Sequence, residues 1–170
     1  MKITQSDNGD VILFQKAYAQ YMLSRFNMSH CILLLTPFPP GILLSMDDCP
    51  ATPQEINKIK STPYYEALGS LMWLQVAMHP DLSFIVNILS CFSHNPGKPY
   101  WNTLKYALAY VKGTIDYGII YRGEVSLNLV GYVDLDYAGC KNSRRSTKGN
   151  CGRSCVLEKQ IARNSSFIDC

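Results

Sequence analysis

The chain has 170 residues, 47% of them hydrophobic and 17% charged, with a formal net charge of +3. That composition suits one domain or two small ones, is too apolar for a disordered tail, and holds no run of about 18 apolar residues that could span a membrane. Seven cysteines, an odd number at irregular spacing, argue against a disulfide framework. Together with the lack of a basic-then-apolar secretory pattern near Met1, they predict an intracellular protein of the cytoplasm or nucleus that is neither secreted nor membrane-bound.

In chain order, Asp10 to Gln15 reads as a short strand because Val11, Ile12, Leu13 and Phe14 are consecutive. A helix follows to about Phe26, with Tyr18, Met22 and Phe26 on one face and Tyr21 and Arg25 beside them. Residues 36–53 hold five prolines, Gly41 and Asp47-Asp48, a connector. Thr62 and Pro63 then read as the cap and first position of a helix with Leu68, Leu71, Met72 and Gln75 along one side, Trp73 and Val76 nearby. Pro80 breaks it, and Leu82, Ile85, Val86 and Leu89 mark a second helix. After the Asn95-Pro96-Gly97 turn, a third runs from about Pro99 to Lys112, with Trp101, Leu104, Leu108 and Val111 on its apolar face and Gly113 as its stop. The period then changes. Tyr117–Tyr121 and Leu127–Val133 read as a hairpin around Gly123-Glu124.

Three features bear on chemistry. Asp134 and Asp136, two residues apart at a strand end, share a face if the chain stays extended and diverge if it turns at Leu135. Such carboxylates can hold Mg²⁺ against a phosphate, although hydrolysis with two metals needs further carboxylates from other elements. Charge is uneven: residues 1–140 carry nine basic and eleven acidic side chains, whereas 141–170 carry seven and two, a local net of +5. Arg144, Arg145 and Lys148 lie in that stretch, which is either a phosphate-binding patch or a solvated loop. In the third helix Tyr100, Tyr106 and Tyr110 alternate with Lys98, Lys105 and Lys112. That pattern suits stacking on a nucleic acid, but suits an ordinary amphipathic helix better. The three histidines form no nucleophilic arrangement, the paired Cys/His spacings Cys91/His94 and Cys151/Cys155 lack a second pair for zinc, and no phosphate-cradling glycine loop occurs.

Several motifs resemble one family in order. Thr62-Pro63-Tyr64-Tyr65-Glu66-Ala67-Leu68-Gly69-Ser70-Leu71-Met72-Trp73-Leu74, His79-Pro80-Asp81-Leu82, Asn95-Pro96, then Trp101, Lys105, Tyr110 and Lys112-Gly113-Thr114 are similar to successive stretches of copia-type LTR retrotransposon Pol polyproteins. Asp116-Tyr117-Gly118, Gly131-Tyr132-Val133-Asp134-Leu135-Asp136-Tyr137-Ala138-Gly139 and Ser146-Thr147-Lys148-Gly149 continue the series. Gln15, Tyr18, Leu23, Phe26 and Met28 fit the helix that closes the family's reverse transcriptase segment.

The resemblance covers about residues 1–149. It implies an α+β chain with three parts: the end of a reverse transcriptase (1–49), a helical connecting region (50–122), and the truncated start of a ribonuclease H-like sheet with a divergent tail (123–170). The implied parent copies RNA into DNA and degrades the RNA of the hybrid with Mg²⁺. Its implied partners are an RNA–DNA hybrid or other nucleic acid and the rest of the polyprotein. Asp134 matches the first metal-binding carboxylate of that ribonuclease H. Lys105, Lys112, Arg144, Arg145 and Lys148 are the candidate nucleic-acid contacts. Asp47-Asp48 lacks the context of the polymerase aspartate pair, Tyr106 and Ala109 replace two family arginines, and the later acidic positions fall on Ile168 and Cys170. The expectation is therefore a fragment without nuclease activity or stably bound Mg²⁺ of its own, or else a non-catalytic nucleic-acid-binding module.

Overall fold

The computed structural model describes residues 1–123 and, as backbone, the short strands 134–136, 147–149 and 160–163. Strands β1 (Lys2–Gln5) and β2 (Val11–Phe14) form an antiparallel hairpin in the register Lys2↔Phe14 to Gln5↔Val11. The loop between them closes through Ser6 N–H to the Asp10 carbonyl at 2.9 Å, with Gly9 at φ 82°. β1 escapes sequence reading because Ile3 is its one apolar residue and all four positions are exposed.

Helix α1 (Lys16–Arg25) buries Ala19, Met22 and Leu23, with Phe26 just beyond. Tyr18 packs half-buried beside them, as the spacing of four predicts, and Tyr21 stays exposed. The helix ends in a left-handed Asn27 (φ 57°). Met28 N–H reaches back to the Leu23 carbonyl at 2.8 Å and Asn27 N–H to Ser24 at 3.1 Å. This pair of bonds satisfies carbonyls that a bare helix end leaves open.

The proline-rich connector contains one 3₁₀ turn, Met46–Asp48. Asp48 Oδ2 accepts the Ser45 N–H there at 2.8 Å, so this carboxylate has a local capping task. A helix that the sequence reading overlooked follows, α2 (Pro53–Lys60). Its signal is a capping box: Glu55 N–H donates to Thr52 Oγ1 at 3.3 Å and Thr52 N–H to Glu55 Oε2 at 3.2 Å, with Pro53 at the first position.

Helix α3 (Tyr64–Ala77) starts one residue later than expected, because Pro63 (φ −77°, ψ 54°) lies outside it as the cap. Its buried side is Tyr64, Ala67, Leu68, Leu71 and Leu74, while Met72, Trp73 and Val76 face solvent. The 3₁₀ turn Pro80–Leu82 leads into α4 (Ser83–Cys91), which buries Ile85, Val86 and Leu89. Helix α5 (Lys98–Gly113) buries Leu104, Leu108 and Val111 as predicted, with Trp101 half-buried, and adds Tyr100, Ala107 and Tyr110. α1, α3, α4 and α5 meet in one apolar cluster.

Strand β3 (Tyr117–Tyr121) is where the sequence places it, but its neighbours are not. One edge pairs with β2 (Val11↔Tyr121 to Leu13↔Ile119) and the other with β6 (Gln160–Arg163), giving the antiparallel order β1-β2-β3-β6. Both edges of β3 are thus paired with segments other than the one expected. Leu127–Val133 lies outside the described residues. β4 (Asp134–Asp136) and β5 (Thr147–Gly149) form a separate two-stranded antiparallel ladder. Helices packed together beside an antiparallel sheet make the fold α+β.

Glycine is required where α5 begins. A Cβ on Gly97 would fall well inside contact distance of the Asp48 carbonyl oxygen, which is backbone and cannot swing away. Gly97→Ala is therefore expected to cost about 1–3 kcal/mol by displacing the 3₁₀ turn. A drop in the urea midpoint without loss of helical circular dichroism in the folded baseline is the readout.

Candidate functional site

Asp134 opens β4, and the backbone register sets Asp134 opposite Gly149, Leu135 opposite Lys148 and Asp136 opposite Thr147. The chain is thus extended through Leu135, which decides between the two conformations open from sequence. Asp134 and Asp136 hold alternate strand positions. Arg144 and Arg145 lie outside the described residues. Among the residues whose side chains are described, no group of three or more His, Cys, Asp or Glu comes together as a metal site. The two carboxylate positions of β4 are fewer donors than two Mg²⁺ ions require, and among the described residues no further donor joins them.

The tyrosines and lysines of α5 are largely committed inside the protein. Tyr100 is fully buried and its hydroxyl donates to the Ser45 carbonyl at 2.6 Å. Tyr106 shares a 3.0 Å hydrogen bond with the Thr36 hydroxyl. Lys112 Nζ donates to the Cys31 carbonyl at 2.6 Å. Cys31 ahead of the connector, and Thr36 and Ser45 within it, thus meet Lys112, Tyr106 and Tyr100 of the helix in reverse order. Asn95 adds a fourth tie, Nδ2 to the Pro50 carbonyl at 3.2 Å. Three of these contacts satisfy backbone carbonyls that would otherwise compete for water, and the Tyr106 contact joins two hydroxyls. They leave the three tyrosines with little face for stacking bases. Lys105 is half-buried, with no ion-pair partner among the described residues. The Cys91/His94 spacing builds no metal site either: Cys91 is a free, exposed thiol.

A buried polar cluster went unrecognised in the sequence. His79 is 6% exposed, and its Nδ1 lies 3.5 Å from Asp81 Oδ1. Tyr110 of α5 donates its hydroxyl to Asp81 Oδ2. Burial raises the Asp81 pKa, but hydrogen bonds from His79 and Tyr110 outweigh it, and the carboxyl is held below the usual aspartate range. Burial and the same carboxylate push the Tyr110 phenol upward, so it remains a donor at neutral pH. The cluster ties the turn between α3 and α4 to the last two turns of α5. It contains no nucleophile beside a base, so its geometry supports holding elements together rather than bond making.

No protein-family model and no solved structure matches the chain. Among known proteins it is 36% identical over 137 residues to the retrovirus-related Pol polyprotein from transposon TNT 1-94 of Nicotiana tabacum. That match takes in 81% of this chain and 10% of the relative. It is 35% identical over 137 residues to the corresponding polyprotein from transposon RE2 of Arabidopsis thaliana, again 81% of this chain and 9% of the relative. It is also 42% identical over 91 residues to secreted RxLR effector protein 161 of Plasmopara viticola, 54% of this chain and 64% of that protein. The ordered motifs and these similarities place the chain in the copia-type retrotransposon Pol family. It spans about a tenth of the length of the two Pol relatives named here. No helix among the described residues is long and apolar enough to cross a membrane.

Because the folded-state pKa of Asp81 is depressed, its contribution to stability is present above the ordinary aspartate value of about 4 and is lost as pH falls through the lowered value. Tyr110→Phe removes one of the two hydrogen bonds that hold it down. The expected result is a loss of about 1–3 kcal/mol at pH 7 and an acid transition that begins at higher pH. Chemical denaturation across a pH series, with wild type beside the variant, measures both.

Proposed function

We propose that the chain is the junction of a copia-type Pol polyprotein, joining the end of the reverse transcriptase segment to the start of the ribonuclease H segment. The observation that carries this reading is the span of similarity, 137 residues or 81% of the chain, to Pol polyproteins from two transposons. The extended backbone at Asp134, the residue matching the first ribonuclease H carboxylate, supports it. The parent activities are RNA-directed DNA synthesis and cleavage of the RNA strand of an RNA–DNA hybrid. In such a parent Mg²⁺ would supply electrostatic stabilisation of the phosphate and a polarised water. Asp134 would give it one oxygen ligand.

A single matched carboxylate does not assemble that centre, and the 170-residue chain is expected to leave an RNA–DNA hybrid intact in Mg²⁺. Mg²⁺-dependent cutting by this chain that disappears in Asp134→Asn would overturn the reading. Conversely, a chimera continuing from residue 149 into the ribonuclease H segment of the TNT 1-94 relative is expected to cut the hybrid, and to stop cutting when Asp134 becomes Asn.

A second reading, a non-catalytic nucleic-acid-binding module, is favoured by one observation, the local net charge of +5 over residues 141–170. Binding by Arg144, Arg145 and Lys148 would weaken steeply with salt, because phosphate contacts release counterions. Replacing those three by Ala should lower hybrid affinity and flatten the salt slope by about three counterions. Binding that is undetectable or indifferent to salt rules this reading out.

A further inference from the structure

α3 is apolar on both sides. Its fourteen residues include one charge, Glu66, which is paired with Arg25 at 2.6 Å. The inward side builds the core. On the outward side Tyr65 is 60% exposed, Met72 45%, Trp73 60% and Val76 76%. Gly69 lies among them, and nothing stands within 4 Å of where its Cβ would be. A helix that is apolar all round is normally covered all round.

We infer that this outward face is a self-association surface, on which α3 packs antiparallel against α3 of a second copy of the chain. Three observations favour that occupant. First, Tyr65, Gly69, Met72 and Val76 follow one another at intervals of four, three and four, the seam spacing of helices that pack side by side. Second, the seam is self-complementary under a two-fold axis between residues 70 and 71. Tyr65 then faces Val76 of the other copy, and Gly69 faces Met72, so the gap left by the glycine takes the flexible methionine side chain. An isologous interface requires this match of a patch with itself. Third, the charges are compatible. Glu66 falls opposite Gln75, so no like charges meet. The absence of any basic residue from the stripe disfavours nucleic acid, which needs cations for its phosphates.

Size sets the expected strength. Tyr65, Met72, Trp73 and Val76 offer on the order of 500 Å² per copy if a large side chain presents about 200 Å² in all. That is below the roughly 800 Å² per partner of a standard interface, so the pair should be reversible at micromolar concentration.

Sedimentation velocity on the full chain over a micromolar concentration series tests this. Wild type is expected to pass from monomer to dimer. Tyr65→Glu and Val76→Lys, both at exposed helix positions, should each weaken the dimer by more than about tenfold. Combined in one chain they should restore it, since each new carboxylate would face a new ammonium across the two-fold axis. Within one helix the two positions are eleven residues apart and cannot meet. Gly69→Arg has open space in the monomer and should stay folded by circular dichroism while remaining monomeric. A wild-type chain that is monomeric throughout would overturn the proposal, the face then serving another partner. Single variants that still dimerise, or a double variant that does not recover, would overturn it too.

Discussion

Everything in the helical body depends on the burial of α5. Tyr100, Leu104, Leu108 and Val111 are each fully buried, and α1, α3 and α4 all pack on this one helix. Each such side chain contributes about 1.5–3 kcal/mol by leaving water. Their spacing along three turns lets one helix organise segments that are far apart in sequence. Glycine marks both ends. A Cβ on Gly113 would lie 2.7 Å from the Leu34 carbonyl, so the connector can pass against the helix there because no side chain is present.

The polar side chains of the same helix explain how a proline-rich connector takes a fixed course. Prolines remove backbone donors and disfavour regular pairing, so the segment cannot hold itself by a ladder or a helix of its own. Tyr106, Tyr100 and the preceding Asn95 supply donors or hydroxyl partners from the outside, each to a different connector residue, and Lys112 holds Cys31 just ahead of it. A tyrosine-lysine pattern that suggests a ligand surface from composition is therefore mostly internal scaffolding. The His79-Pro80-Asp81 stretch is similar: its carboxylate joins a turn to α5, and its depressed pKa follows from that task rather than from proton transfer.

How much of this was legible depends on the distance over which each interaction acts. α1, α4 and α5 are readable because their core faces repeat every three or four residues and end at recognisable stops. α2 was readable in principle from Thr52 and Glu55 but was obscured by the prolines before it. The sides of α3 were readable in part: Leu68 and Leu71 are buried as the spacing predicts, but with apolar residues all round, periodicity could not tell Leu71 from Met72, which is exposed. Nor could the partners of β3 be read, since β2 lies more than a hundred residues upstream and a local turn signal suggested the adjacent segment instead. For the candidate site, sequence located Asp134 on an extended segment. It missed Asp81, because the residue that holds it, Tyr110, comes from another helix and carries no motif linking the two.

The residues that carry family membership and the residues that would carry chemistry are different populations. Tyr64 to Leu74, Leu82 and the buried positions of α5 resemble the family where they build the core. Substitution there is constrained by packing whether or not any reaction occurs. Asp134 belongs to a two-stranded ladder separate from the four-stranded sheet. Core packing of that kind constrains apolar shape and volume and not the presence of a carboxylate. A fold tolerates substitution because hydrophobic burial is summed over many replaceable contacts. A metal-assisted hydrolysis instead requires every ligand at once.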